Sequence, residues 1–302
     1  MSDSISRSIV GIQGASKAWI EGLLSDARSY AAGEQPIEIP AGVVAALLFA
    51  EDSTRTRCSF EMACYKLGIQ PLVLGKSGSS MSKGETLLDT ARLLEVIGSR
   101  VLILRHSENG AATTLATSLS IPVINAGDGT NEHPTQALLD VYTLQQEWGT
   151  FEGRSLAIVG DILHSRVARS TALAVEALGG TVRLCGPAAL CADAPQGVRA
   201  TCFQDMDEAI EGVDAVMMLR IQRERMGAAL SPDPDVYRNH YGLTAKRALA
   251  LPPHTVVLHP APMNRGVEID SEVADGRRSR IFNQMANGVW VRMACIARAL
   301  TE

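Results

Sequence analysis

Val43-Val44-Ala45-Ala46-Leu47-Leu48-Phe49-Ala50, followed two residues later by Ser53-Thr54-Arg55-Thr56-Arg57, is the stretch that decides the fold. The first part is a short, unbroken apolar run, the signature of a strand buried on both faces. The second crowds three hydroxyls and two guanidiniums into five residues. From Ser59 on, Phe60, Met62, Ala63 and Leu67 recur with helical spacing until Gly68 stops them. A strand, a polar turn and a helix start form a ready anion site. The first helical turn offers free N–H groups and the positive end of the dipole. Arginine adds a planar fork that grips anion oxygens in pairs. Taken alone, the motif reads equally well as a phosphate cradle or as an N-cap with solvated arginines.

The alternation continues along the chain. Val101–Leu104, Val123–Ile124, Leu156–Val159, Val182–Leu184, Ala215–Leu219 and Val256–Leu258 read as further buried strands. Thr86–Ile97, Thr135–Gln146, Val167–Leu178 and Met285–Leu300 read as helices. Strands alternating with helices predict an α/β protein with parallel sheets covered on both faces. The chain has 302 residues, long for one core, so two doubly wound domains are expected. The run Trp148-Gly149-Thr150-Phe151-Glu152-Gly153-Arg154 breaks a long helix before a new strand. The expected division is residues 1–146, completed by a C-terminal helix over 285–302, and residues 147–284.

A formal net charge of −5 argues against a general nucleic-acid or anionic-membrane binder. Local arginines still leave a small anionic substrate open. None of the six cysteines forms a C-x-x-C pair or stands near a histidine at metal-ligand spacing, so buried or half-buried thiols and no metal are expected. No apolar run is long enough to span a bilayer, and a cytoplasmic location is expected. Gly75-Lys76-Ser77 imitates the end of a P-loop, but position 70 is Gln70. Gly160-Asp161 imitates a dinucleotide turn, but position 162 is Ile162.

Other short motifs carry chemistry. Arg105-His106 follows a strand, where open α/β sheets collect ligands; a lone arginine there is more often a surface ion pair. In His133-Pro134-Thr135-Gln136 the proline fixes a helix start, which places His133 at the cap and Gln136 in the first turn. That pair suits a polarised carbonyl and an amide nitrogen, or merely caps a helix. Gly78 to Glu85 is a small-residue loop carrying Lys83, either a lid or a plain surface loop. Arg166, after Gly160-Asp161 and His164-Ser165, and Arg220, before Ile221-Gln222, stand at two strand ends. Two such arginines suit a dicarboxylate or are unrelated surface residues. His259-Pro260-Ala261-Pro262 ends the last strand with a stiff backbone able to present carbonyls.

In this order, the motifs resemble the aspartate carbamoyltransferase family, within the aspartate/ornithine carbamoyltransferase superfamily, from about position 45 to about position 270. The resemblance implies a carbamoyl transfer from carbamoyl phosphate to L-aspartate in de novo pyrimidine biosynthesis, without a cofactor. It implies that Ser53, Thr54, Arg55 and Thr56 hold the phosphate. Thr56, Arg105 and His133 would hold the carbonyl oxygen, and Gln136 with the backbone of Pro260, Ala261 and Pro262 the amide nitrogen. Arg166, Arg220, Gln222 and Lys83 would take the aspartate carboxylates. Ser79 and Lys83 would reach the site of a neighbouring subunit in a homotrimer. A regulatory chain or a dihydroorotase are partners the resemblance admits. The alternatives are ornithine carbamoyltransferase, whose His-Cys-Leu-Pro is replaced here by His259-Pro260-Ala261-Pro262, and a non-catalytic scaffold paralogue. The segment Ala228 to Leu243 departs from the family's usual pattern in its Pro232-Asp233-Pro234 start, and a different shape of the aspartate-closing loop is expected there.

Overall fold

A computed structural model describes residues 6–75, 84–221 and 233–301. The chain divides into two compact units. The first comprises Met1–Leu139 with Met285–Glu302, and the second Asp140–Gln284.

The first unit contains α1 (Lys17–Ala31), β1 (Val44–Phe49), α2 (Thr54–Lys66), β2 (Gln70–Gly75), α3 (Leu87–Val96), β3 (Val101–His106), α4 (Ala111–Ser118) and β4 (Val123–Asp128). Helix α5 (Pro134–Trp148) crosses the division at its N-terminal third. The sheet is all parallel, in the order β2-β1-β3-β4. Ala45–Leu48 and Val101–Leu104 are fully buried, which is why both read as unbroken apolar runs.

The second unit contains β5 (Ser155–Val159), α6 (Arg166–Ala177), β6 (Thr181–Cys185), β7 (Thr201–Phe203), α7 (Met206–Ala209), β8 (Ala215–Met218), α8 (Pro234–Tyr241), α9 (Ala245–Ala250), β9 (Val256–Leu258) and α10 (Ser271–Ala274). Its parallel sheet has the order β7-β6-β5-β8-β9. Helix α11 (Ile281–Thr301) begins in this unit and continues in the first.

The α/β class and the parallel sheets agree with the sequence pattern. Three details differ. Helix α2 starts at Thr54, not near Ser59, so the Thr54–Arg57 motif is the first helical turn itself. An i,i+4 pair between Arg57 and Glu61 at 3.2 Å supports that early start. Strand β2 has a mostly exposed or half-exposed face and carries Pro71, so its pattern is neither alternating nor a clean apolar run. Cys58 is exposed, contrary to the expected burial. Cys64, Cys185 and Cys295 are buried, and burial pushes their thiols up to about 12.

Candidate active site

In each sheet the chain lays strands first to one side of its opening strand and then to the other. The reversal falls between β1 and β3 in the first unit, and between β5 and β8 in the second. The crevice beyond the carboxyl ends of such a strand pair is where open α/β sheets bind ligands.

The first reversal carries the hydroxyl–guanidinium motif and Arg105 together. β1 leads into α2, and Phe49 pairs in register with Arg105 on β3. The Ala50 N–H donates to the Arg105 carbonyl at 2.9 Å. Ser53 is the N-cap of α2, but its hydroxyl makes no cap hydrogen bond. Arg55 and Thr54 are exposed while Thr56 is buried. The Arg105 guanidinium is aimed by two partners. Its Nη1 donates to the Ala126 carbonyl at 3.1 Å, and its Nε lies 3.5 Å from Glu51 Oε2.

His133 and Gln136 reach the same sheet end from β4. The His133 carbonyl accepts the Gln136 and Ala137 N–H groups at 3.0 and 3.1 Å, which makes His133 the N-cap and Pro134 the first helical residue, as its φ constraint predicts. Both side chains are buried. The loop before them is held by Asp128, whose Oδ1 accepts from the Glu132 N–H and the Asn125 amide, and whose Oδ2 accepts from the Gly110 N–H and the Asn131 amide. Glu132 in turn accepts the Ile12 and Gln13 N–H groups at 2.8 and 3.0 Å. A Cβ on Gly11 would stand 2.7 Å from Glu132 Oε1, so a larger residue there would have to push that carboxylate aside.

The second reversal carries Arg166 and Arg220. Gly160 follows β5 at φ 143°, where a Cβ would come within 2.8 Å of Leu219 Cβ, so glycine is required. The fully buried Asp161 accepts the His164 N–H at 3.1 Å and meets its Nδ1 at 3.0 Å. The Ser165 hydroxyl caps α6 by accepting the Ala168 N–H, and Arg166 is the first helical residue, itself buried. β8 ends at Met218, one residue sooner than expected, and Arg220 stands half-buried just beyond it. The Leu219 N–H still bonds to the Val159 carbonyl at 2.8 Å, which ties Arg220 to the end of β5. His259 to Pro262 follows β9, the neighbour of β8, with Ala261 half-buried at a left-handed φ of 55° and Pro262 exposed.

Ser79, Lys83 and Gln222 lie outside the described residues. Among the described residues no group of three or more histidines, cysteines or carboxylates could hold a metal, and no helix is long and apolar enough to cross a membrane. An open concavity of about 950 Å³ in the second unit is lined by residues such as Asp207, Arg238, Arg247 and Asp270, none of them in these motifs.

Three sets of residues escaped the sequence reading: Asp128 with Glu132, Arg292 and Glu268. Arg292 on α11 donates to the Ser59 hydroxyl at 2.8 Å, and its guanidinium lies 5.1 Å from the centre of the Phe60 ring, so it props α2 from behind. The polar run Asp128 to Glu132 before an N1 proline was a usable signal for the first set. Nothing local marked Arg292.

The description "Aspartate/ornithine carbamoyltransferase, carbamoyl-P binding domain" matches residues 7–146, and "Aspartate/ornithine carbamoyltransferase, Asp/Orn binding domain" matches residues 152–299. The aspartate carbamoyltransferase catalytic subunit of Myxococcus xanthus is 46% identical over 96% of this chain and 98% of its own length. Among solved structures, aspartate transcarbamoylase from Trypanosoma cruzi with carbamoyl aspartate and phosphate aligns at TM-score 0.84 and 32% identity, over 96% of this chain and 95% of that one. Ornithine carbamoyltransferase from Thermus thermophilus aligns at TM-score 0.86 with 26% identity, over 98% and 99%. Backbone shape therefore does not separate the two activities, whereas sequence leans to the aspartate enzymes.

Proposed function

This chain belongs to the aspartate/ornithine carbamoyltransferase family, and we propose that its reaction is carbamoyl transfer from carbamoyl phosphate to the amine of L-aspartate. The products are N-carbamoyl-L-aspartate and phosphate. The observation that carries this reading is the first turn of α2, with its hydroxyls and a helix start that no side chain caps, beside Arg105 at the sheet reversal. No residue of that motif set is missing from the sequence, which argues against a scaffold paralogue.

The chemistry follows from the groups. Ser53, Thr54, Arg55 and Thr56 hold the phosphate through hydroxyls, N–H groups and a guanidinium. The aspartate amine attacks the carbamoyl carbon and an oxyanion develops. The Thr56 hydroxyl, Arg105 and His133 are the donors that meet it. Donors fixed before reaction need no reorganisation as charge develops. Gln136 and the backbone carbonyls of the Pro260-Ala261-Pro262 run accept from the amide nitrogen. Arg166, Arg220, Gln222 and Lys83 take the aspartate carboxylates. Phosphate leaves against Arg55, Arg105 and Lys83 and takes the proton from the amine, so no side-chain base is named. Alignment of two substrates supplies much of the rate.

The reading extends to a cytoplasmic homotrimer in pyrimidine biosynthesis, in which Ser79 and Lys83 complete the neighbour's site. Aspartate is favoured over ornithine because two arginines at the strand ends of the second unit suit a dicarboxylate, and because Pro260 stands where the ornithine family's His-Cys-Leu-Pro carries its cysteine. The test is an assay of the purified chain with labelled carbamoyl phosphate and each amine. Carbamoyl aspartate should form; citrulline alone, or no product, refutes the reading.

A further inference from the structure

The loop after β9 is held by a buried hydrogen-bond chain that the mechanism above does not use. The Ala261 N–H donates to His259 Nδ1 at 2.8 Å. A neutral imidazole carries one N–H, so an accepting Nδ1 puts the proton on Nε2. Nε2 lies 3.2 Å from Glu268 Oε1, and both side chains are fully buried. The same oxygen accepts the Asn264 N–H at 2.5 Å, while Oε2 is buried with no hydrogen bond. From the other side, the His259 N–H donates to Gln284 Oε1 at 2.9 Å, Gln284 Nε2 donates to Asp140 Oδ1 at 2.8 Å, and Asp140 Oδ2 accepts from the Thr171 hydroxyl at 2.8 Å.

A buried carboxylate with one unpaired oxygen is a costly way to fill space. What it does here is fix a ring. The i to i+2 bond from Ala261 to the His259 side chain imitates an Asx turn and accompanies the left-handed φ of Ala261. The Ala261 N–H and the Pro260 carbonyl belong to one peptide plane and point opposite ways. Whatever holds the N–H therefore aims the Pro260 carbonyl.

We infer that Glu268 is a positioning residue for carbamoyl phosphate: it locks His259 in the Nε2–H tautomer, and His259 Nδ1 then fixes the peptide that presents the Pro260 carbonyl. This rests on the assignment of that carbonyl to the substrate's amide nitrogen.

Two measurements on the full chain test it. In ¹⁵N-histidine-labelled protein, long-range ¹H–¹⁵N correlations, assigned to His259 by their loss in His259→Asn, should show the Nε2–H tautomer. Kinetics form the second arm. Glu268→Leu should raise the KM for carbamoyl phosphate about tenfold, the usual scale for orphaning a buried donor, with the aspartate KM changed less than about threefold. Glu268→Gln keeps an acceptor for Nε2–H and should stay within about threefold of wild type in both. In the Glu268→Leu background, His259→Asn should restore carbamoyl phosphate binding, because an amide oxygen accepts the Ala261 N–H without needing a tautomer. An Nδ1–H tautomer in the wild type overturns the inference, as does a Glu268→Leu enzyme whose two KM values are unchanged or rise equally. If Glu268→Leu does not fold, the wild-type tautomer and Glu268→Gln decide: a large, equal rise in both KM values for the glutamine variant also overturns it. A wild type that carbamoylates no aspartate refutes the function instead, and the tautomer measurement still decides the placing of His259.

Discussion

Arg105 illustrates how one side chain acquires a role from its position. It is next to last on β3, in register with the end of β1, and its guanidinium is aimed by the Ala126 carbonyl and Glu51. In the proposed reaction it serves both the oxyanion and the leaving phosphate. Arg105→Ala should lower turnover by about 10²–10³, the usual loss for one preorganised donor; turnover within about threefold of wild type would remove it from the mechanism. Arg220→Ala should act on the other substrate, weakening aspartate much more than carbamoyl phosphate in steady-state kinetics. Equal weakening would take Arg220 off the aspartate side. These residues were legible because each sits within a few positions of a strand end that the apolar pattern already marks. Arg292 was not, because its partner Ser59 is 233 positions away, and although the polar run before Pro134 marks Glu132, its partner Ile12 is 120 positions away. A sequence read locally has no access to such pairs. Lys83 and Gln222 were legible as residue types, and their placement lies outside the described residues.

At the scale of elements, helices α3, α5, α6 and α11 were expected within a few residues of where they occur, since caps and apolar spacing are local. α1, α4 and the edge strands β2 and β7 were missed: three residues of β7 carry no period, and the exposed face of β2 hides its pairing. Gly288 on α11 tests how tightly α2 is backed. A Cβ there would stand 2.5 Å from Arg292 Nη1 and 3.1 Å from Leu139 Cδ2. Alanine normally gains about 1 kcal/mol over glycine within a helix. Overpacking against a buried guanidinium costs about 1–3 kcal/mol, so Gly288→Ala should destabilise, and a raised urea midpoint would contradict this. Asp214 gives a pH test. Burial pushes its carboxyl up, but hydrogen bonds from Arg154 and from the Ser155 N–H and hydroxyl outweigh burial and hold it below the usual range. A lowered folded pKa means that the stabilisation is fully present above the unfolded value of about 4 and is lost as pH falls through the folded value. Asp214→Asn should therefore cost about 2 kcal/mol at neutral pH. Its deficit relative to wild type should shrink in acid; a deficit independent of pH would show that charge is not what Asp214 supplies.

For the whole molecule, the proposal is that a single chain does not make a complete site. Lys83 belongs to a Gly/Ser-rich stretch between β2 and α3, and the family resemblance assigns it to the neighbour's site in a ring of three with heterologous contacts. The test mixes two dead parents. Chains with Lys83→Ala keep Arg105; chains with Arg105→Ala keep Lys83. Neither homotrimer should be active. After dissociation and random reassembly, a site is whole wherever the first kind of chain provides the body and the second kind its neighbour. In a closed ring of equal mixture that holds for about a quarter of sites, so activity should return to about that fraction of wild type. The ceiling is informative, because contamination or reversion would not track the mixing ratio, whereas hybrid sites should vary as the product of the two fractions. Proven subunit exchange without recovered activity would mean that Lys83 acts within its own chain or not at all. A monomer active at high dilution would refute the composite site outright.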